Sequence, residues 1–195
     1  MDTEVEDDWM ERMEVTLDET TTSLSLCYRE LEHIPKFHKH LALNITYLDL
    51  SHNMLSDLKN LDVFAHLEHL VLDNNNLGDS TEFPELNTLT ALEMNNNQFV
   101  NLNLLVKKLA KAFPMLTYLS LLGNNACPIE LSGTANSDKD YQYYRQFTAD
   151  NLPKLKFLDF KIVDKRSKEE EKEHVKNSGN ANANLSNDWL LVRRF

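Results

Sequence analysis

Hydrophobic and polar residues repeat in one pattern along the middle of the chain. Four segments fit L-x-x-L-x-L-x-x-N-x-L with few substitutions: 45–55, 67–77, 89–99 and 116–126. A weaker copy at 21–31 has Arg29 at the asparagine position. The diagnostic positions recur at intervals of 24, 22, 22 and 27 residues. In each copy, L-x-L predicts a short β-strand in which every second side chain points to the same side.

The strands of successive copies are predicted to stack, because no single copy can bury its own apolar side chains. The inward positions form one continuous column: Leu48, Leu50, Leu70, Leu72, Leu92, Met94, Leu119 and Leu121. A motif of this form and period resembles the leucine-rich repeat proteins. The resemblance implies an α/β fold, a right-handed leucine-rich repeat solenoid with parallel strands on its concave face and a C-terminal cap.

The asparagine of each copy is predicted to be structural. A sharp turn after each strand leaves backbone N–H and C=O groups inside the solenoid, and buried backbone groups must be paired. A carboxamide both donates and accepts hydrogen bonds. We therefore expect an internal ladder formed by Asn53, Asn75, Asn97 and Asn124.

A helix is predicted over 101–113 by apolar residues at helical spacing, with Asn101 as its N-cap and Pro114 after its end. Its lysines are expected on a solvated outer face: Lys107, Lys108 and Lys111.

The C-terminal cap is predicted as an aromatic helix over 140–152, followed by a strand over 154–163. The strand is expected to turn Leu155, Leu158 and Phe160 inward. The helix spaces three aromatic residues to lie over the open end of the leucine column: Tyr141, Tyr144 and Phe147.

The charge of the chain divides it into three parts. The formal net charge is −11, and residues 1–20 alone hold nine acidic and one basic residue. We predict an acidic N-terminal segment over 1–20, a leucine-rich repeat domain with its cap over 21–163, and a charged tail over 164–195. The N-terminal segment either covers the first repeat, as a helix or a strand, or is an acidic docking tail.

The concave face is predicted as a partner-binding surface. The outward strand positions form two stripes: Tyr47, His69, Ala91, Tyr118 and Phe157, and then Asp49, Val71, Glu93, Ser120 and Asp159. Aromatic anchors beside carboxylates are typical of protein interfaces. The candidate binding residues are Tyr47, Asp49, His52, Glu68, His69, Asp73, Glu93, Tyr118 and Phe157.

The tail ends in a second candidate binding segment. A polar, low-complexity stretch over 177–187 precedes an apolar cluster formed by Trp189, Leu190, Leu191 and Phe195. The cluster is either a linear motif that docks into a partner or a segment that packs on its own chain.

The sequence predicts no enzyme and no cofactor. It has no P-loop, HExxH, GxSxG or paired CxxC motif. His52 and His69 are expected to approach each other as a hydrogen-bonded surface pair rather than a metal site. Cys27 and Cys127 lie about 19 Å apart in the predicted stack, beyond disulfide reach. The excess of acidic residues argues against direct nucleic-acid binding. No apolar run reaches the length of a membrane span. We expect a cytoplasmic monomer.

The cap and the last repeat carry a closer resemblance. Tyr144-Arg145 followed by Leu152-Pro153-x-Leu155-x-x-Leu158-Asp159 resembles the cap of the group that includes the spliceosomal A-prime protein and several axonemal proteins. LSLLGNNACPIEL at 119–131, joined to this cap, resembles the family of leucine-rich melanocyte differentiation-associated proteins.

The resemblance implies a non-enzymatic adaptor. It would link a Rab-type small GTPase to a trafficking complex, in Retriever-type endosomal recycling or in the biogenesis of lysosome-related organelles such as melanosomes. A partner would then recruit the protein to those membranes. The relatives with the same cap imply the alternative, a scaffold subunit of a ribonucleoprotein or cytoskeletal assembly.

Overall fold

The computed structural model describes residue 13, residues 15–128 and residues 135–163, with the backbone alone described for 135–138. Within this part, seven strands form one sheet in chain order. The strands are β1 (Ser23–Ser25), β2 (Tyr47–Asp49), β3 (His69–Val71), β4 (Ala91–Glu93), β5 (Tyr118–Ser120), β6 (Phe157–Leu158) and β7 (Lys161–Ile162). Strands β1 to β6 pair in parallel, and β7 pairs with β6 in the antiparallel direction. The predicted α/β repeat fold is therefore confirmed.

The core is the predicted column of inward side chains. The strand register aligns Leu24, Leu48, Leu70, Leu92, Leu119 and Leu158 across six parallel strands. A second buried layer follows two residues later along the chain and contains Leu26, Leu50, Leu72, Met94 and Leu121. All of these side chains are at most 4% exposed. Because each layer runs through all the repeats, each repeat completes the core of its neighbours.

The asparagine ladder forms as predicted, and Asn75 shows its pattern. The Asn75 amide nitrogen donates to Leu50 O at 3.0 Å and to Leu72 O at 3.1 Å. Its Oδ1 accepts a hydrogen bond from Leu55 N at 3.0 Å. Equivalent bonds to backbone groups are made by Asn53, Asn97 and Asn124. One carboxamide per turn thus joins two repeats through their buried backbone groups.

The residue before each ladder asparagine, and before Arg29 in the weaker first copy, adopts a left-handed conformation. The φ values are positive at Tyr28, His52, Asn74, Asn96 and Gly123. Each of these residues lies where the chain leaves the strand and enters the turn. Its left-handed backbone conformation is strained for most L-residues. At Gly123 a Cβ would clash with Asn96 Oδ1, so close packing is a second reason for glycine besides the left-handed backbone.

Short helices connect the repeats. They are α1 (Lys39–Ala42), a 3₁₀ turn at Leu61–Val63 and α2 (Leu102–Ala112). Asn101 caps α2 as predicted, since its side chain accepts a hydrogen bond from Leu104 N at 3.0 Å. The prediction for Lys108 is wrong. Its Nζ is part-buried and donates to Asp79 O, Thr81 O and Glu82 Oε1, because the loop between β3 and β4 lies against this lysine.

The cap consists of α3 (Ala135–Asn151) and the β6–β7 hairpin. Tyr141 and Tyr144 are buried and Phe147 packs against the core, as the predicted lid requires. Arg145 secures the hairpin by donating to Leu158 O and Ile162 O, each at 2.9 Å.

The predicted final strand is wrong in its middle. Asp159 and Phe160 both have positive φ values, 51° and 64°. Two such residues form the tight two-residue turn that reverses the chain between β6 and β7. The turn places Phe160 at the surface, 65% exposed, and leaves Asp159 only 5% exposed. Both side chains therefore have the opposite burial from the one that the sequence predicts.

At the other end, Met13, Val15 and Leu17 are partly buried and pack against the core. Residues 1–12 and 14 of the acidic N-terminal segment lie outside the described residues. Within the described part of the chain, no helix has the length and apolar character needed to span a bilayer.

Candidate functional site

The exposed side of the parallel sheet carries the residues that the sequence assigns to the concave face, and we call it the outer sheet face. The register places one outward residue of each strand in a single row, from β2 to β6: Tyr47, His69, Ala91, Tyr118 and Phe157. Phe157 is 41% exposed and the others are partly exposed. The row is held by backbone pairing, so the spacing of its side chains is fixed by the sheet.

Contacts along the row order its aromatic side chains. The Tyr47 and His69 rings meet edge to face, with centroids 4.9 Å apart. His69 Nε2 lies 3.0 Å from Glu93 Oε1, which fixes the imidazole against the carboxylate of the next strand. Tyr118 meets Phe160 edge to face at 6.1 Å between centroids. The exposed Phe160 thus extends the aromatic row into the cap, a contribution that the sequence reading missed because it placed Phe160 in the core.

The second predicted stripe is only partly at the surface. Asp49 is half-buried and accepts hydrogen bonds from Ser51 N at 2.9 Å and from Ser25 Oγ at 3.4 Å. Ser120 is fully buried and donates to Asn95 Oδ1 at 2.7 Å. Asp159 does not continue this stripe, because it is buried below the cap turn. The outward carboxylates of the stripe are therefore Asp49 and Glu93.

Asp73 has a structural partner. Its two carboxylate oxygens accept hydrogen bonds from the backbone N–H and the side-chain amide of Asn95, at 2.7 and 3.0 Å. Asn95 in turn accepts from Leu122 N at 2.8 Å. Asp73 therefore ties three consecutive repeats together and contributes negative charge to the outer sheet face without being held out to solvent. Glu68, by contrast, has an exposed side chain.

His52 lies away from the row. Its ring stacks on Tyr28 with centroids 4.1 Å apart, and its Nε2 lies 3.2 Å from Asn74 Nδ2. The register places His69 opposite Tyr47 instead. The expectation that His52 and His69 approach each other is therefore wrong. The described residues contain no group of three or more His, Cys, Asp or Glu side chains placed to hold a metal ion.

The tyrosines of the row report a negative potential. Burial, which is the largest cause, and the charges of Glu93, Asp159 and Asp73 together raise the pKa of Tyr118 to about 12. Burial also raises the pKa of Tyr47, with Asp49 and Glu93 adding to the effect. A phenol is harder to ionise beside carboxylates because its phenolate would be repelled by them. Both phenols are therefore neutral hydrogen-bonding groups at physiological pH.

A buried polar cluster lies beneath the cap. Tyr144 donates its hydroxyl proton to Asp159 Oδ2 at 2.7 Å, and Leu121 N donates to Asp159 Oδ1 at 2.9 Å. Burial raises the pKa of Asp159, and these hydrogen bonds, together with the Arg145 charge, oppose that shift. Cys127 Sγ lies 3.9 Å from the same carboxylate, and burial raises the pKa of its thiol to about 11. The cluster fastens the cap to the last repeat and holds an unreactive thiol.

The tail residues proposed from the sequence, Trp189, Leu190, Leu191 and Phe195, lie outside the described residues.

Parallel strands stacked in chain order, an asparagine ladder and a helical cap define the class: the chain is a leucine-rich repeat protein. No family model matches it. It is similar to the human leucine-rich melanocyte differentiation-associated protein, with 46% identity over 127 residues, 64% of each chain. It is also similar to U2 small nuclear ribonucleoprotein A' of Candida albicans, with 37% identity over 119 residues, 60% of this chain and 45% of the relative. The chain thus spans less than two thirds of the length of either relative.

The fold is similar to that in the crystal structure of the Drosophila melanogaster SNF/U2A' complex. The TM-score is 0.58 at 22% identity, over 81% of this chain and 85% of that chain. At this level of identity the likeness shows the fold alone. Together with the Candida relative, it agrees with the predicted A-prime type of cap.

Proposed function

We propose that this protein is a non-enzymatic adaptor whose outer sheet face binds a protein partner. The observation that carries the proposal is the row of Tyr47, His69, Tyr118 and Phe157, which are partly or fully exposed on the parallel sheet beside Asp49 and Glu93. Aromatic side chains supply large apolar contacts at small entropic cost, and the carboxylates around them orient the partner. A sheet that is already ordered loses little further conformational entropy on binding.

For the partner we propose a Rab-type small GTPase, with a membrane-trafficking complex as the second binding partner. The support is the likeness of the repeats and cap to the melanocyte differentiation-associated relative. In this proposal the protein is cytosolic, and a partner recruits it to endosomal or lysosome-related organelle membranes.

A second candidate function is a scaffold subunit of a ribonucleoprotein. The Candida relative, whose name places it in such a particle, favours it. A net charge of −11 disfavours contact with RNA phosphates, so this role also requires a protein partner.

Replacing two tyrosines tests the outer sheet face. We expect Tyr47→Ala with Tyr118→Ala to abolish binding in pull-downs with GTP-locked Rab proteins, because both side chains lie in the row and neither is part of the leucine core. Tyr143→Ala, which removes a 65% exposed tyrosine of α3, is the matched control and should bind normally. Thermal melting of each variant checks the fold. Undiminished binding by the double variant would place the partner elsewhere on the protein.

The same binding assay distinguishes the two functions. Selective capture of a GTP-locked Rab supports the trafficking role. If no Rab protein binds in either nucleotide state, and a ribonucleoprotein subunit binds instead with the same dependence on the tyrosines, the scaffold role is correct.

We propose residues 188–195 as a second docking segment, on the basis of their apolar cluster after a polar stretch. Deleting 188–195 should abolish one interaction of the full chain and leave its melting temperature unchanged. A lower melting temperature with all binding retained would show that the segment serves the stability of the folded protein.

A further inference from the structure

The aromatic row has a gap at its centre. Ala91 lies between His69 on β3 and Tyr118 on β5, and its side chain is a single methyl group. Neighbouring strand backbones are about 4.8 Å apart, so the backbones of β3 and β5 are about 10 Å apart across Ala91. We call this low point of the row, with Ala91 as its floor, the Ala91 notch.

Carboxylates lie beside the notch on its own strand and on the side of β3. Glu93 lies two residues beyond Ala91 on the same strand and faces the same side, and its side chain is 23% exposed. Asp73, on the turn after β3, and Asp49, two strands away on β2, add negative charge on one side of it, and both carboxylates already accept hydrogen bonds within the protein. The four sheet segments 46–52, 68–74, 90–96 and 117–122 contain no Lys or Arg. Burial is the largest cause of the high pKa of Tyr118, and the charges of Glu93, Asp159 and Asp73 add to it, as expected of a wall next to carboxylates.

We propose that the Ala91 notch is a subsite for an arginine side chain of the protein partner. This inference rests on the proposed function and specifies the chemistry of the segment that the outer sheet face binds. A guanidinium laid on the Ala91 methyl can stack on the Tyr118 ring and pair with Oε2 of Glu93, whose Oε1 lies 3.0 Å from His69 Nε2. The planar, delocalised cation suits this narrow space between a ring and a carboxylate better than the compact, strongly hydrated ammonium of lysine does.

The cap next to the notch favours an apolar residue in the partner segment. Phe157 and Phe160 are 41% and 65% exposed, and Phe157 lies on the strand next to Tyr118. A segment that places arginine in the notch brings the residues beside it over these two rings. We therefore expect the partner segment to present an arginine and a neighbouring apolar residue on the same face.

Peptide selection tests this chemistry without assuming a partner. A random 12-residue library displayed on phage is selected on the immobilised full-length chain and counter-selected on Ala91→Phe, which fills the notch at an outward strand position. We expect the enriched peptides to carry arginine beside an apolar residue. Enriched peptides without arginine, or peptides that bind wild type and Ala91→Phe equally, would overturn the proposal.

A double-mutant cycle then tests the contact itself. The best synthetic peptide is compared with a copy in which citrulline replaces arginine, on wild type and on Glu93→Gln. We expect each single change to weaken binding about tenfold, as for an interfacial ion pair, and the second change to add little once the first is made. Glu85→Gln, an exposed glutamate outside the sheet, removes the same charge and should leave affinity unchanged. Additive losses would show that arginine does not contact Glu93.

The two proposals fail in different ways. If the Tyr47→Ala and Tyr118→Ala double variant loses its partner while Glu93→Gln and Ala91→Phe keep it, the outer sheet face is the interface and the arginine subsite is wrong. If the double variant also keeps its partner, the interface itself is wrong.

Discussion

Asn53, Asn75, Asn97 and Asn124 show how one residue type sets the geometry of every repeat. Each carboxamide bonds backbone groups of its own turn and of the neighbouring repeat, so it replaces the water that the buried chain lacks. The ladder could be predicted from the sequence because the same residue returns at the same place in the motif. The left-handed residue before it is not marked by one residue type, since that position holds His52, Asn74, Asn96 and Gly123 in turn.

At this scale we expect Asn75→Ala to destabilise the protein by about 3 kcal/mol, because each buried backbone group left without a partner costs about 1–3 kcal/mol. The substitution removes hydrogen bonds to Leu50 O, Leu72 O and Leu55 N. Urea unfolding of the purified variant measures the loss. Asn87→Ala, at an exposed asparagine, is the control and should change stability by less than about 0.5 kcal/mol. Equal stability of the two variants would refute the ladder as a source of stability.

Among the elements, the cap shows most clearly how chain geometry can reverse expected burial. The β6–β7 turn turns Asp159 inward and Phe160 outward. Asp159 is tolerated inside because Leu121 N–H and the Tyr144 hydroxyl bond its two oxygens. The exposed Phe160 lies against Tyr118 and so becomes part of the outer sheet face. The cap thus both closes the solenoid and extends its candidate interface.

The raised pKa of Asp159 predicts a specific dependence on pH. Folding favours its protonated form, so its contribution to stability is full below the unfolded pKa, near 3.8, and is lost as the pH rises through the folded value. Asp159→Asn should therefore gain stability relative to wild type as the pH rises from about 4 towards neutral. An amide can still accept from Leu121 N and donate to the Tyr144 oxygen.

Urea unfolding of wild type and Asp159→Asn between about pH 4 and 8 measures this difference. Asp159→Ala is the control, because it removes the charge and both hydrogen bonds and should be less stable than Asp159→Asn at every pH by about 1–3 kcal/mol. A constant difference between wild type and Asp159→Asn across the range would show that the Asp159 carboxyl has an ordinary pKa in the folded protein.

In the whole molecule, stability and binding use opposite sides of the same strands. Leu48, Leu70, Leu92 and Leu119 are buried on one side, and Tyr47, His69, Ala91 and Tyr118 precede them on the other. Since alternate side chains of a strand point to opposite sides, the leucine column fixes the positions of the outer row. A change in the core is therefore expected to disturb binding, whereas a change in the row need not disturb the core.

We expect Leu72→Ala to destabilise the protein by about 2–5 kcal/mol, because it opens a cavity in a central repeat with neighbours on both sides. Leu104→Ala, at a 39% exposed leucine of α2, is the matched control and should have an effect of less than about 1 kcal/mol. Chemical denaturation of both variants gives the comparison. If Leu72→Ala is no more destabilising than Leu104→Ala, the central repeats do not depend on the continuous leucine column.

The sequence alone determined the repeat, its core and its ladder, because each follows from a short motif that recurs several times along the chain. It also determined which residues share the outer row, since the register of parallel strands follows from aligning the repeats. Only the tertiary structure decided the burial of Asp159, the exposure of Phe160, the enclosure of Lys108 and the separation of His52 from His69. These depend on single turns and loops that occur once, where hydrogen-bond partners from distant segments outweigh the polarity of the side chain itself.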